Sequence, residues 1–254
     1  MTPDWPVLPP PAPKPNREDR TSWLFTTRKI SVTIVETHHE FGPPPDSPSG
    51  VSGAVVRLAL VVLGQACFGL GIGLLFLADL GLGPWDVLHD GLSGGLDRAP
   101  GTVIVGLGVL LLVLLVLFRQ PIGPATVTNV VIIGTTVNLV LESFDTPSAP
   151  ALRLTLVLGA PLLVALGSMV YLGAGIGVGP RDGLMTALVD AGLTTRAART
   201  LLEVVVLLVG LALGGSAGVG TVVFALLVGP SLQRLQQRVW SGWAEPAGWV
   251  FRRG

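Results

Sequence analysis

From position 54 onward the chain alternates between long apolar blocks and short connections that carry the charges. The apolar blocks are Val55–Ala78, Gly101–Phe118, Ile122–Leu141, Leu154–Val178, Thr200–Gly214 and Gly218–Leu232. A helix needs about 20 apolar residues to cross the hydrocarbon of a bilayer, and the first four blocks have roughly that length. Because lipid offers no hydrogen-bond partners to an open backbone, each block is predicted to be a helix. We therefore expect an all-α, polytopic membrane helix bundle of about six transmembrane helices.

The composition supports the membrane class and excludes several others. Half of the residues are hydrophobic, 13% are charged and the mean hydropathy is +0.68, whereas a soluble domain is about 25% charged. The net charge of zero lacks the basic excess of a nucleic-acid-binding protein. The chain has one cysteine, which rules out an internal disulfide and a cysteine-rich metal site. No nucleotide-binding, zinc-protease or serine-hydrolase motif is present, so no enzyme activity, metal or cofactor is expected.

The two ends of the chain differ from the apolar region between them. Residues 1–50 hold 11 of the 32 charges and 11 of the 21 prolines. Proline interrupts helices, so this arm is predicted to be disordered, with residues 30–35 as a short strand at most. Residues 240–254 form a tail rich in Trp and Arg, which is typical of an anchor at the membrane interface. The transmembrane domain is therefore predicted at residues 51–239.

The distribution of arginine favours six crossings with both termini in the cytoplasm. In that topology the cytoplasmic connections carry seven arginines and the outer connections carry two, as the positive-inside rule requires. The seven are Arg57, Arg119, Arg181, Arg196, Arg199, Arg234 and Arg238, and the two are Arg98 and Arg153. An odd number of crossings would mix the two sets. The expected location is the bacterial cytoplasmic membrane.

One motif occurs twice, in residues 81–92 (GLGPWDVLHDGL) and 177–188 (GVGPRDGLMTAL). At an offset of 96, six of the twelve positions match: Gly81 with Gly177, Gly83 with Gly179, Pro84 with Pro180, Asp86 with Asp182, Leu88 with Leu184 and Leu92 with Leu188. The match predicts two repeats of three crossings, at about 54–142 and 152–234. Because three is odd, the second repeat is expected to be inverted in the membrane. Inverted repeats with Gly/Pro breaks at matching places point to a transporter binding site.

The motif is predicted to start a short helix in each repeat. Proline at the first helical position loses no hydrogen bond, and a carboxylate at the third position meets the positive end of the helix dipole. The short helices are expected at Pro84–Gly95 and Pro180–Gly192, where they re-enter the membrane or lie at its surface. Two interpretations of Asp86 and Asp182 remain open. The carboxylates cap their helices, or they line a cavity that binds an ion, a proton or a polar solute.

Two more charged residues are candidates for the site. Arg181 replaces the Trp85 of the first motif, and it either follows the positive-inside rule or pairs with Asp182 or an anionic ligand. Glu203 is the one acid within an apolar block, and Arg199 lies one turn before it. Glu203 is therefore either paired with Arg199 or a site for a coupling ion or proton.

Polar side chains of the third block are weaker candidates. Asn138 is assigned to the site, with Thr128, Asn129 and Thr135 as neighbours that either face a cavity or bond to helices. His89 is expected to be an ordinary solvated residue, and the alternative is a pH sensor.

Taken together, four segments resemble the YczE/YyaS/YitT family of bacterial integral membrane proteins, and its YczE branch most of all. They are GLGPWDVLHDGLS, GVGPRDGLM, the R-x-x-x-E of Arg199 and Glu203, and GVGTVVFALLVGP. The resemblance covers about residues 54–235. It implies a multi-pass membrane protein and no established reaction, substrate or catalytic residue.

The leading hypothesis is a gradient-driven permease for a small polar solute or ion, with Asp86, Asp182 and Glu203 near its site. The alternative is a membrane scaffold or regulatory partner protein that transports nothing. The expected partners are the lipid bilayer and the solute, without nucleic acid, and self-association into a homo-oligomer remains open.

Overall fold

A computed structural model describes residues 50–240, which form eight α-helices and no strand. The helices are α1 (Gly50–Ala78), α2 (Pro84–Leu96), α3 (Pro100–Leu117), α4 (Pro124–Ser143), α5 (Pro150–Gly173), α6 (Pro180–Asp190), α7 (Thr195–Ala212) and α8 (Val219–Trp240). The prediction of an all-helical protein is confirmed for this part of the chain. The predicted arm up to position 49, with its short strand, and the predicted tail after position 240 lie outside the described residues.

Prolines mark where most of the helices begin. Proline occupies the first position of α2, α3, α4, α5 and α6. Its fixed φ suits the first helical turn, and its missing N–H would have no intrahelical partner there. The short helices α2 and α6 have 13 and 11 residues, which is too short to cross a bilayer.

Four helices are long and apolar enough to span a membrane among the residues that the structure describes. They are Val51–Ala78, Pro100–Leu117, Pro124–Ser143 and Pro150–Gly173. α7 carries three charged side chains, and α8 ends in a polar segment, so both have lower hydropathy. Large apolar side chains are exposed on the spanning helices, including Val113, Val116, Leu139 and Leu162. Such a surface is suited to lipid and rare on a soluble protein.

α1 and α5 cross in the middle of the bundle and run antiparallel. Three contacts fix their register: Gly64 lies against Gly167, the Cys67 thiol donates to the Leu163 carbonyl at 3.5 Å, and Gly71 lies against Ala160. In the order of these contacts, the residue numbers rise on α1 and fall on α5, so the two helices run in opposite directions. A Cβ atom at Gly64 would lie 2.8 Å from the carbonyl oxygen of Gly167. The small residues therefore allow the two backbones to approach closely, as is common between membrane helices.

The buried core surrounds this crossing. α4 packs along α1, and α8 packs along α5. One cluster of fully or nearly fully buried side chains is Leu75, Ala78, Leu82, Val87, Val157 and Ala160, and a second is Ile72, Ile104, Ile133, Val137 and Val164. The short helices lie outside this crossing, where α2 packs against α7 and α6 packs against α3. The core thereby fixes the two loops that lead into α2 and α6.

Candidate functional site

Each motif loop contains a glycine that no other residue can replace without strain. Gly81 has φ of +105° and Gly177 has φ of +138°, a region that L-amino acids with a side chain avoid. A Cβ atom at Gly81 would also lie 2.3 Å from the backbone nitrogen of Gly218. At Gly177 it would lie 3.0 Å from Oγ1 of Thr126. Both loops are therefore held tightly against the start of another helix.

The loop before α2 docks on the start of α8. The Leu80 carbonyl accepts a hydrogen bond from the Gly220 N–H at 2.7 Å. Thr221, the third residue of α8, accepts the N–H of Gly218 on its Oγ1 at 3.0 Å. This bond satisfies one backbone donor that the helix start leaves without a partner.

The loop before α6 docks in the same way on the start of α4. The Ile176 carbonyl accepts from the Ala125 N–H at 3.2 Å. Thr126, the third residue of α4, accepts the Gly123 N–H on its Oγ1 at 3.1 Å. Ile176 lies 96 positions after Leu80, so the two matching motifs make matching contacts.

Asp86 is the third residue of α2 and is buried, with 1% of its surface exposed. Its carboxylate makes no capping hydrogen bond at the start of α2. Instead Oδ1 lies 3.2 Å from Nδ1 of His89 and 3.8 Å from Nη2 of Arg181. The carboxylate of Asp86 therefore interacts with side chains of both motifs, and its binding of an ion, a proton or a solute stays a prediction.

His89 is buried against Asp86, with 2% of its surface exposed, so the expectation of a solvated His89 is wrong. The sequence places it one turn after Trp85 in a short helix, and only the packing of α2 determines which side is covered. Burial lowers the pKa of His89, and the hydrogen bond to Asp86 partly opposes this effect. This lowering of the pKa favours the neutral ring. We assign the proton to Nδ1 because its partner is a carboxylate, which leaves a lone pair on Nε2.

Arg181 joins the two motifs. Its guanidinium carbon lies 5.1 Å from the centroid of the Trp85 ring, which is within the range of a cation–π interaction. Its Nη2 is 3.8 Å from the carboxylate of Asp86. Arg181 and Trp85 occupy equivalent positions in the two motifs. The sequence suggested Asp182 or an anionic ligand as the partner of Arg181, and the carboxylate of Asp86 is a neighbour that it did not suggest.

Asp182 is the third residue of α6 and is half-buried. Its Oδ2 lies 3.4 Å from the hydroxyl of Tyr171 on α5. Burial raises the pKa of Asp182, and the nearby Arg199 and Arg181 partly oppose this effect. Tyr171 was not among the predicted site residues. The sequence does mark it, because it is the one tyrosine of the chain and lies within an apolar block. A hydroxyl that is buried there needs a hydrogen-bond partner.

A narrow cavity adjoins these groups between α2, α3, α4 and α6. Its volume is about 20 Å³, which is room for about one water molecule. His89, Asn129 and Arg181 supply its polar groups, and Pro180 borders it at the start of α6. The walls are otherwise apolar side chains of α3 and α4: Ile104, Leu111, Val130 and Ile133. Asn129, named in the sequence analysis only as a neighbour of Asn138, therefore lies at the site.

The structure does not bring Asn138 or Glu203 into this cavity. Asn138 accepts the Gly101 N–H at 2.8 Å and donates to Thr102 Oγ1 at 3.1 Å, which ties α4 to α3. Glu203 accepts from Arg199 at 3.0 Å, and both side chains are exposed. The contacts of these two residues are those of the structural alternatives that the sequence left open.

The remaining predicted positions shape the backbone. Gly83 precedes α2, where a Cβ atom would lie 3.0 Å from Oδ2 of Asp86. Gly179 precedes α6, where a Cβ atom would lie 3.3 Å from the Tyr171 hydroxyl. Pro84 begins α2. Within residues 50–240, no three His, Cys, Asp or Glu side chains cluster closely enough to hold a metal ion.

Comparison with known proteins identifies the family. The model of a family of unknown function, DUF6198, matches residues 55–237. The chain belongs to this family. A relative, the uncharacterized membrane protein YczE of Bacillus subtilis, is 28% identical over 183 residues, covering 69% of this chain and 83% of the relative. An uncharacterized protein of Haemophilus influenzae is 31% identical over 179 residues, covering 69% of this chain and 81% of that protein. No solved structure matches.

The resemblance to the YczE branch, drawn from the paired motifs, is confirmed by these family members. The named relative and the apolar helices together identify the chain as a membrane protein. Both of these relatives are uncharacterized.

Proposed function

We propose that this protein is a gradient-driven permease for a small polar solute or ion. It has six membrane crossings arranged as two inverted repeats of three, in the cytoplasmic membrane of a bacterium. Both termini lie in the cytoplasm. The solute binds in the cavity beside Asp86, His89 and Arg181.

Support for the inverted repeats comes from the crossing of α1 and α5. Cys67 and Leu163 are 96 positions apart and touch each other. On either side of this pair the contacts correspond: Gly64 meets Gly167, and Gly71 meets Ala160. At the offset of 96, Gly64 corresponds to Ala160 and Gly71 to Gly167, so each of these two contacts is the equivalent of the other. A two-fold axis that relates the helices produces this pattern, and equivalent residues such as Cys67 and Leu163 meet where the axis passes. Because α1 and α5 are antiparallel, an axis relating them lies in the membrane plane.

Support for the fifth and sixth crossings comes from the pairing of the helices. α7 packs against α2 and α3 packs against α6, while α4 follows α1 and α8 follows α5. Under the repeat, the pair of α2 and α7 corresponds to the pair of α6 and α3, and the pair of α1 and α4 corresponds to the pair of α5 and α8. α7 and α8 then correspond to the spanning helices α3 and α4. Six crossings also preserve the separation of the arginines that the positive-inside rule requires.

The observation that carries the transport proposal is the contact between Arg181 of one motif and Asp86 of the other. Buried ionisable groups inside a membrane protein are costly and mark pathways for ions and solutes. Here they lie where two interrupted helical segments from opposite repeats meet, which is the usual position of a transporter site. Movement of one repeat against the other can expose such a site to either side in turn.

The test is solute flux in proteoliposomes of the purified protein. Radiolabelled monocarboxylates, amino acids and inorganic ions are offered under proton and sodium gradients. The proposal expects uptake of one class, lost in Asp86→Asn and Arg181→Gln. The matched controls Asp97→Asn and Arg98→Gln, which change exposed side chains, retain it. The scaffold hypothesis would be favoured over the permease if no solute class were transported and if Asp86→Asn changed only the binding of a co-purifying partner protein.

A further inference from the structure

The cavity beside Asp86 and Arg181 has room for about one water molecule in this conformation, so a solute that binds there needs the cavity to widen. We propose that α6 is the mobile gate that widens it, and that α2 is held closed. The inference rests on the inverted repeats and the alternating access of the proposed function, and it names the element that moves. α2 and α6 are equivalent under the repeat, so a difference in how they are held comes from the residues that differ.

α2 is buried more deeply than α6. The buried residues of α2 are Asp86, Val87, Leu88, His89, Gly91 and Ser93. Those of α6 are Pro180 and Gly183. The large apolar side chains of α6 are half-buried: Leu184, Met185, Leu188 and Val189. Movement of a helix costs the packing contacts and hydrogen bonds that it breaks, so α6 moves at a lower cost than α2.

The backbone of α2 rests directly on the end of α7. A Cβ atom at Gly210 would lie 2.5 Å from the backbone nitrogen of Leu88. On α6, a Cβ atom at Gly183 would lie 2.8 Å from the end of the Leu115 side chain of α3. A leucine side chain can change its rotamer, so α6 packs against a surface that adapts when the helix moves.

Ser216 fastens α2 from the loop between α7 and α8. Its carbonyl accepts the Leu82 N–H at 3.2 Å, and its N–H donates to Oδ2 of Asp90 at 2.8 Å. A hydrogen bond to a carboxylate is stronger than one between neutral groups. These two bonds add to the one between Leu80 and Gly220, which has its counterpart in the second repeat. They form a latch on α2.

The second repeat cannot form the bond between Ser216 and Asp90. The starts of α4 and α8 are 95 positions apart, which places Pro121 at the position of Ser216. Proline has no N–H to donate. Thr186 stands at the position of Asp90, 96 positions later, and its hydroxyl donates within its own helix. This part of the latch is therefore absent from α6 in every conformation.

α6 is tied by a weaker contact to the loop before α4. Nε2 of Gln120 donates to Oδ2 of Asp190 at 2.8 Å, and this bond is exposed. Water competes for both groups of an exposed hydrogen bond, so its net contribution to stability is small. The bond can therefore break and form again as α6 moves.

Glycines flank α6 on both sides. Gly175 has φ of +66°, Gly192 has φ of +105°, and a Cβ atom at Gly192 would meet nothing within 4 Å. Positions at the ends of an element absorb the backbone rotation when it moves. Pro180 and Arg181 are part of the cavity wall, so rotation of α6 withdraws both and opens the cavity. Under the proposed topology it opens toward the cytoplasm, while the latched α2 keeps the outer side closed.

The first experiment measures hydrogen–deuterium exchange of the purified wild-type protein by mass spectrometry. Amides of α6 should exchange at least about tenfold faster than those of α2, because α6 opens more often. Asp90→Ala removes an acceptor of the latch and should speed exchange in α2 alone. Asp145→Ala, at an exposed position between α4 and α5, is the matched control and should change neither. Equal exchange of α2 and α6 in the wild-type protein would overturn the proposal.

The second experiment tests whether movement of α6 opens the cavity. Ile133 lines the cavity and is 4% exposed. In a Cys67→Ser background, Ile133→Cys should therefore react with N-ethylmaleimide only while the cavity is open. Ile72→Cys, at a 1% exposed position outside the cavity wall, is the control and should not react.

Two disulfides then hold one gate at a time, and each is formed by oxidation before the label is added. Gln120→Cys with Asp190→Cys holds α6, and Asp90→Cys with Ser216→Cys holds α2. The α6 disulfide should slow the labelling of Ile133→Cys at least about tenfold, and the α2 disulfide should leave it unchanged. The gate is wrong if the α2 disulfide slows labelling as much, if neither slows it, or if Ile133→Cys does not react without a disulfide.

Neither experiment needs a solute, so the gate and the permease fail separately. Solute uptake together with equal exchange of α2 and α6 would remove the gate and leave the permease. A mobile α6 without flux of any solute would remove the permease and leave the gate.

Discussion

The sulfur of Cys67 and the carbonyl oxygen of Leu163 lie 3.5 Å apart, although the two residues are 96 positions apart in the chain. That spacing is also the offset between the paired motifs. Arg181 and Trp85, again 96 positions apart, touch as well. Contacts between equivalent residues occur where a symmetry axis passes. Under the proposed repeat, these two contacts lie on the axis that relates the two halves of the protein.

The first prediction is that Leu163→Cys forms a disulfide with Cys67 on mild oxidation. Cys67 is the one cysteine of the chain, so no other pair can form within a molecule. The close approach of the two positions favours the bond. Mass spectrometry of proteolysed protein detects it. Leu162→Cys, at the adjacent and 52% exposed position, is the control and should stay reduced; equal cross-linking of both variants would contradict the packing.

The second prediction concerns topology. Gly95 and Ala191 are exposed, and they are equivalent under the proposed repeat. In a Cys67→Ser background, Gly95→Cys should react with a membrane-impermeant maleimide in intact cells. Ala191→Cys should react only after the membrane is opened, because inverted repeats place equivalent positions on opposite sides. Labelling of both positions from the same side would exclude inversion.

The third prediction is that Gly81→Ala destabilises the protein by more than about 1 kcal/mol, because its φ is positive and its neighbour is backbone. Gly106 provides the matched control, since it lies within α3 and a Cβ atom there would meet nothing within 4 Å. Gly106→Ala should stabilise the helix by roughly 0.5–1 kcal/mol. Thermal unfolding in detergent measures both. Equal effects of the two substitutions would show that the loop before α2 is not tightly docked.

The fourth prediction is that Asp182→Asn raises the melting temperature at pH 7.5. The pKa of Asp182 is raised by burial, so its contribution to stability is full below the ordinary pKa of aspartate, near 4. That contribution is lost as the pH rises through the higher pKa of the folded state. The amide avoids the cost of a buried charge, and the advantage over wild type should shrink as the pH approaches 4. Asp97→Asn, at an exposed position, should show no such trend.

Local sequence rules account for most of the helical architecture. Apolar blocks predict the spanning helices, and proline with glycine before it predicts the starts of α2 and α6. Helix ends are less well defined: the predicted end of the second short helix is Gly192, whereas α6 ends at Asp190. The first short helix ends at Leu96, one residue later than expected. The predicted starts at Pro84 and Pro180 match the structure, because the start of a helix is set by residues close in sequence.

The partners of the site residues do not follow from local rules. The sequence identified Asp86, Asp182 and Arg181 but could not assign the Trp85, His89 and Tyr171 contacts. Asn138 and Glu203 were also predicted at the site, yet their hydrogen bonds go to α3 and to Arg199. Which side of a helix faces a neighbour depends on how helices distant in sequence pack.

The sequence by itself determined that this protein is a membrane helix bundle with a duplicated motif, because hydropathy, proline and glycine act within a few residues. Tertiary structure alone decided that His89 is buried and that Arg181 lies between Trp85 and Asp86. Those contacts join residues about 95 positions apart, such as Asp86 and Arg181. They form because the packed helices bring a cation, an aromatic ring and a carboxylate together, and no pattern along a single helix encodes that packing.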